Sequence, residues 1–122
     1  MKKKAQKNIQ NKTIYELQAE ICGALANTVR LHILDLLGEG EKTSTQLLEI
    51  LDIPKANLSQ HLAVLKDVGI LKARKEGLFQ YLSLALPKVK DACSLVRSVL
   101  AEKMIIQEKK NSDLMRELKG QR

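Results

Sequence analysis

Residues 43–65, TSTQLLEILDIPKANLSQHLAVL, decide the fold of this chain. Each half of the stretch carries leucine or isoleucine at helical spacing, and an Asp-Ile-Pro tripeptide separates the two halves. A Thr-x-x-Gln capping box opens the first half, and Pro54 suits the first turn of the second half. The stretch therefore predicts two short helices joined by a tight turn, which is the helix-turn-helix arrangement.

The second predicted helix has an apolar side and a polar side. An α-helix fits the major groove of duplex DNA, where polar side chains on its first two turns reach base edges. Asn57 and Gln60 are of the types that pair bidentately with adenine, and Lys55 and Ser59 can donate to bases or phosphates. His61 lies one step further round, where such a residue packs against the scaffold or contacts a phosphate. The alternative is an amphipathic helix whose polar face only meets water.

Three further helices are predicted outside this stretch. Apolar spacing predicts helices over residues 13–26 and 28–37, with Asn27 as the N-cap of the second helix. Pro87 opens a last helix that runs at least to Ile106. We therefore expect a mostly α fold with about five helices.

A change of sequence period after Gly69 predicts a β-hairpin. Two β-prone runs flank a Glu76-Gly77 turn, with Phe79 and Tyr81 on one face. The other face would carry Leu78, Leu82 and Leu84. Basic residues at the tip would meet phosphates or the minor groove, namely Lys72, Arg74 and Lys75. The order of elements predicts a winged helix-turn-helix domain with a two-stranded wing.

The net charge of +7 is unevenly distributed along the chain. Residues 13–53 contain two basic and seven acidic residues, whereas residues 54–75 contain five basic residues and one acidic residue. Localised positive charge is the signature of a phosphate-binding face, although a solvated lysine-rich surface has the same composition. With two histidines and no glycine-rich phosphate loop, the chain lacks a catalytic constellation, so we do not expect an enzyme.

Composition and patterning also predict the location and the domain organisation. No apolar run approaches the ~20 residues of a membrane helix, and the basic start has no apolar segment behind it. We therefore expect a cytoplasmic protein that does not bind membranes. Residues 1–12 are predicted to be a disordered basic arm, residues 13–106 the DNA-binding and dimerisation domain, and residues 107–122 a polar helical extension or tail.

The first and last predicted helices carry more apolar surface than a winged domain of this size can bury. The last helix has a coiled-coil-like seam at spacings of four, three and four, formed by Val89, Cys93, Val96 and Leu100. Pairing with a second copy would cover both helices in an isologous interface. We therefore expect a homodimer through the first and last helices.

The chain resembles the ArsR/SmtB family of bacterial winged-helix repressors. The segments that carry the resemblance are residues 24–34 (ALANTVRLHIL), 59–62 (SQHL), Leu65, 69–71 (GIL), 74–77 (RKEG) and Tyr81. The resemblance implies a homodimer that binds a near-palindromic operator in double-stranded DNA and leaves it when an inducer binds. The chain is also similar to the DNA-binding half of members that are fused to a rhodanese domain.

The family resemblance implies positions for DNA contacts and for metal ligands. The expected DNA-binding residues are Thr45, Lys55, Asn57, Ser59, Gln60, His61, Lys72, Arg74 and Lys75. Metal-sensing members place thiolates where this chain has Thr43 and Thr45. A second type of metal site matches Asp91, Cys93, Met104 and Gln107, of which Met104 and Gln107 are poor zinc ligands. We therefore expect neither a metal nor a cofactor.

Cys22 and Cys93 are the candidate sensor residues. One hypothesis is a thiol switch on the dimerising helices, driven by an oxidant, reactive sulfur or a soft metal. The alternative is that both cysteines are small buried hydrophobic residues, which is the usual state of free cysteine. We predict a dimeric repressor released by an inducer; the alternative is a winged-helix protein–protein interaction module without an inducer site.

Overall fold

A computed structural model describes residues 11–120 as five helices and three strands. The predicted basic arm, residues 1–12, lies outside the described residues except for its last two. In chain order the elements are α1 (Ile14–Leu25), α2 (Thr28–Leu37), β1 (Lys42–Thr43), α3 (Ser44–Leu51), α4 (Lys55–Asp67), β2 (Leu71–Glu76), β3 (Phe79–Leu84) and α5 (Lys88–Leu118).

The core of the winged domain is aliphatic. Its fully buried side chains come from α2, α3, α4, β3 and the loop before β2, and they are Ile33, Leu47, Leu58, Leu65, Ile70 and Leu82. Because three leucines of α4 face this core, the opposite side of α4 is turned to solvent. The core therefore sets the orientation of the second helix of the helix-turn-helix.

Local hydrogen bonds fix the starts of α2 and α3 as the sequence predicted. The Asn27 Oδ1 accepts from the backbone N–H groups of Val29 and Arg30, at 2.9 and 3.1 Å. The Thr43 Oγ1 accepts from the Gln46 backbone N–H at 3.1 Å, and the Gln46 Oε1 accepts from the Thr43 backbone N–H at 2.8 Å. Both ends of the capping box are therefore satisfied.

The turn between α3 and α4 lies at the predicted Asp-Ile-Pro tripeptide. Asp52 ends α3 in the left-handed conformation, with φ of 52°, and its backbone N–H donates to the Leu48 carbonyl at 2.9 Å. Asp is one of the few residues with a Cβ that adopts this conformation readily. Pro54 is the N-cap of α4, so the helix begins at Lys55. This short turn holds α4 at a fixed angle to α3.

The sheet differs from the prediction in two ways. It has three strands in the order β1-β3-β2, because β1 pairs Thr43 with Tyr81 and extends the wing. Two residues are too few to show alternation, so the sequence carries no signal for β1. The hairpin turn is also one residue later than predicted: Glu76 pairs with Phe79, and Gly77, with φ of 64°, takes the first turn position.

The described chain divides into two compact units after Val89. The second unit consists of the rest of α5, which continues without interruption to Leu118. Its apolar side chains stay exposed in the single chain, including Val96, Leu100, Met104 and Leu114. Among the described residues, no helix is both long enough and apolar enough to cross a membrane.

Candidate nucleic-acid interface

The exposed side of α4 carries the residues of this helix that were predicted to contact DNA bases. Lys55, Asn57, Ser59 and Gln60 are all exposed, while Leu58 between them is buried. Asn57 and Gln60 are three residues apart, so they are neighbours on one face of the helix. The fold therefore gathers amide, hydroxyl and ammonium groups on one convex surface of the helix. These are the groups that pair with base edges and phosphates in the major groove.

Thr45 lies at the start of α3, outside this cluster. Its side chain is exposed in the first turn of that helix, next to the cap formed by Thr43. The N-terminal turn of a helix presents free backbone N–H groups and favours anionic groups. Thr45 is therefore suited to a phosphate contact, whereas the face of α4 is suited to bases.

His61 is half-buried and contacts Arg30 of α2, a residue absent from the predicted site. The Arg30 Nη1 lies 3.3 Å from the His61 Nδ1. Because arginine only donates hydrogen bonds, Nδ1 is the acceptor and the neutral ring carries its proton on Nε2. His61 therefore belongs to the scaffold on one side of its ring and offers a donor on the other.

Arg30 also binds the C-terminal end of α1. Its Nε donates to the Ala24 carbonyl at 2.7 Å, and its Nη2 donates to the Gly23 carbonyl at 3.3 Å. A positive charge at the C-terminal end of a helix is favourable because the free carbonyls there carry partial negative charge. Arg30 thus links the end of α1 to α4 through His61. One signal in the sequence could have pointed to Arg30, since a cation in the first turn of α2 is unfavourable for α2 itself.

Arg74 of the wing is held by two carboxylates and an aromatic ring. Glu41 accepts from Nε at 3.3 Å and from Nη2 at 3.0 Å, and Glu76 accepts from Nη1 at 2.6 Å. The Arg74 guanidinium lies 4.5 Å from the centre of the Tyr81 ring. The hydrogen bonds that Arg74 donates to Glu41 and, to a smaller extent, to Glu76 raise the pKa of Arg74 above its ordinary value. We call this group the wing clamp.

Lys72 and Lys75 differ from Arg74, although all three were predicted as equivalent wing cations. Both lysines are exposed, and neither forms an ion pair with any residue of the described range 11–120. Their ammonium groups are therefore the free positive charges of the wing. Arg74, by contrast, has to exchange carboxylate partners before it can bind a phosphate.

The candidate sensor residues lie in separate units of the chain. Cys22 is exposed on α1, whereas Cys93 is half-buried on α5. Cys22 directly precedes Gly23, whose carbonyl accepts from Arg30. Within residues 11–120, no group of three or more histidine, cysteine or acidic side chains is arranged to hold a metal ion.

Together, these features define a class of proteins, the winged helix-turn-helix transcriptional regulators. A family model described as a helix-turn-helix domain matches residues 25–74, which span α2 to the middle of β2. The chain belongs to the ArsR/SmtB family of these regulators. As the sequence predicted, it is a DNA-binding protein of the transcriptional regulator type and not an enzyme.

Relatives from bacteria and archaea share most of their length with this chain. The chain is 34% identical over 94 residues to Rv0081, an HTH-type transcriptional regulator of Mycobacterium tuberculosis, covering 76% of this chain and 82% of the relative. It is 40% identical over 83 residues to an HTH-type regulator of Methanocaldococcus jannaschii, covering 67% and 93%.

Solved structures agree with the fold. The crystal structure of Rv0081 has a TM-score of 0.72 at 33% identity and covers 79% of this chain and 97% of that one. A homodimeric winged helix-turn-helix DNA-binding domain from Mycobacterium bovis, solved by NMR, has a TM-score of 0.70 at 32% identity, with coverages of 82% and 93%.

Proposed function

We propose that this chain is a dimeric, sequence-specific repressor that is released from its operator by an inducer. The observation that carries the proposal is the exposed polar face of α4, which three buried leucines and the turn at Asp52 hold in place. In this proposal Asn57 and Gln60 read bases in the major groove, and Lys55 and Ser59 contact bases or phosphates. The His61 Nε2 proton and Thr45 bind phosphates at the edges of the groove.

The proposed dimer uses α1 and α5. In the single chain Ile14 and Tyr15 of α1 are 69% and 79% exposed, and the apolar stripe of α5 is exposed as well. An isologous interface would remove both surfaces from water. The homodimeric state of the structurally similar domain from M. bovis supports this arrangement. Two copies of α4 would then reach half-sites ~34 Å apart, which explains a near-palindromic operator.

We expect affinity for DNA to fall steeply with salt. Each subunit offers Lys55, Lys72 and Lys75 to phosphates, so a dimer makes six such contacts and should lose about 10³-fold in affinity between 50 and 200 mM salt. The measurement is fluorescence anisotropy with a duplex that the protein selects from a random-sequence library. Combined Lys72→Ala and Lys75→Ala should flatten the slope, whereas Lys109→Ala on α5 serves as the control. An affinity independent of salt would favour the protein–protein interaction module instead.

We further propose that Cys22 and Cys93 form the inducer-sensitive element. Two thiols oxidised by hydrogen peroxide give a disulfide and two molecules of water. A polysulfide can instead supply sulfane sulfur as the oxidant, which links the thiols through an inserted sulfur atom and releases hydrogen sulfide. The exposure of Cys22 supports access for such reagents. Its position next to Gly23 supports coupling between Cys22 and α4. A shift at the end of α1 would move the carbonyls that bind Arg30, and Arg30 contacts His61 of α4.

Operator binding before and after oxidation tests the thiol proposal. We expect peroxide or polysulfide to weaken binding by the wild-type protein about tenfold or more, the size of a typical coupling between two sites. Cys22→Ser and Cys93→Ser should each abolish the response without changing the affinity of the reduced protein. If oxidised and reduced proteins bind the selected duplex equally well, the cysteines are not sensors, although the repressor proposal stands.

A further inference from the structure

The tip of the wing is apolar. Leu78 takes the second position of the two-residue turn, and its side chain is 97% exposed. Phe79 follows it and is 50% exposed, with its ring 6.5 Å from the ring of Tyr81. Turn positions are usually occupied by polar residues or glycine, because a large apolar side chain there gains nothing from folding. Leu78 therefore has no role in stabilising the single chain.

One free cation lies next to the tip. Lys75 pairs across the hairpin with Gln80 and forms no ion pair within the described residues, whereas Glu76, beside the turn, is paired with Arg74. Lys72 is also free of ion pairs in this range but lies near the base of the hairpin, opposite Ser83. A partner that takes an apolar tip beside a free ammonium group needs anionic walls and a floor of lower polarity. The minor groove of duplex DNA has this combination, with phosphates along its walls and base edges at its floor.

The hairpin that carries Leu78 is braced at its base. The wing clamp ties Arg74 of β2 to Glu41, which precedes β1, and to Glu76 at the end of β2. Pairing of β1 with β3 adds a second connection to the helix-turn-helix, since β1 runs directly into α3. The tip is thus held in position relative to α3 and α4 before DNA binds, which lowers the cost of ordering it.

We propose that Leu78 enters the minor groove beside the half-site read by α4 and makes the operator selective for A·T pairs there. The inference rests on the proposed DNA-binding function. A G·C pair projects the N2 amino group of guanine into the minor groove, which keeps an apolar side chain away from the floor. An A·T pair lacks this group, so the leucine packs deeper and Lys75 reaches a phosphate. Apolar side chains inserted in this way are known to widen or kink the groove.

Selection from a random duplex library tests the proposal first. Wild-type protein should select two half-sites with A·T pairs at flanking positions. Leu78→Ser should select the same half-sites without the flanking preference. Leu86→Ser, which changes a partly exposed leucine in the loop between β3 and α5, should behave as the wild type. If the wild type selects no motif, the repressor proposal fails as well; if both proteins select identical motifs with identical flanks, only the role of Leu78 fails.

Base analogues then assign the contact to the minor groove. Changing the flanking A·T pairs to G·C should weaken wild-type binding about five- to tenfold, within the range of single mismatches. Inosine·C, which lacks the N2 amino group, should restore the affinity, and diaminopurine·T, which adds it, should weaken binding. Leu78→Ser should respond to none of these changes. The proposal would be overturned if the inosine·C duplex did not restore the affinity of the wild-type protein. It would also be overturned if Leu78→Ser changed the sedimentation of the protein without changing its binding to DNA.

Discussion

Replacing Asn57 and Gln60 together by alanine is expected to abolish sequence discrimination while leaving the fold intact. Each good bidentate contact to a base contributes about 1–3 kcal/mol of discrimination, so the double change should cost about 2–6 kcal/mol per half-site. Both side chains are exposed, and alanine favours the helix more than either residue does. The protein should therefore remain at least as stable as the wild type.

Competition binding measures this effect. Wild-type protein should prefer the selected duplex over a scrambled duplex of the same length, and the double variant should bind both with the affinity of non-specific binding. Gln18→Ala changes an exposed amide of α1 and provides the matched control. A double variant that still discriminates between the duplexes would mean that α4 does not read the bases.

Arg30→Ala is expected to lower both stability and DNA affinity. The change removes donors that bind the Ala24 and Gly23 carbonyls and the His61 ring. Because hydrogen bonds that involve a charged donor contribute about 1.5–3 kcal/mol each and are not additive, we expect a loss of about 2–4 kcal/mol in the free energy of unfolding. The loss of the contact to His61 should also weaken operator binding, because α4 is then less firmly oriented.

Urea unfolding and operator binding measure the two effects separately. Arg30→Lys keeps the positive charge but lacks the several N–H donors of the planar guanidinium. Its unfolding free energy and its operator affinity should therefore lie between those of the wild type and Arg30→Ala. Arg116→Ala is the control, since Arg116 is exposed on α5 and bonds to Asp113. A double-mutant cycle with His61→Phe isolates the contact between α2 and α4. An unfolding free energy for Arg30→Ala within about 0.5 kcal/mol of wild type would contradict the assigned role.

The parts of the fold that depend on interactions between neighbouring residues could be predicted from the sequence. The Thr43–Gln46 capping box and the Asn27 cap depend on neighbouring residues, and the structure confirmed both. The strand β1 was missed because it spans only two residues. The hairpin turn was placed one residue early, because either neighbour of Gly77 could have completed a two-residue turn.

The contacts that refine the site connect residues distant in sequence. Arg30 and His61 are 31 residues apart, and Arg74 and Glu41 are 33 residues apart. No local pattern encodes such pairs, so the charge of Arg74 was predicted to be free. Arg30 was not predicted as part of the site, because it lies outside the helix-turn-helix and within an acidic half of the chain.

The separation of α4 into a buried leucine face and an exposed polar face has an evolutionary consequence. Lys55, Asn57, Ser59 and Gln60 make no contact that holds the core together, so substitutions there should usually change stability by less than about 0.5 kcal/mol. With α4 in its proposed role, gene duplicates would acquire new target sequences through changes at a few surface codons, without compensating changes elsewhere. The specificity of the helix could then be changed by grafting side chains onto an unchanged framework.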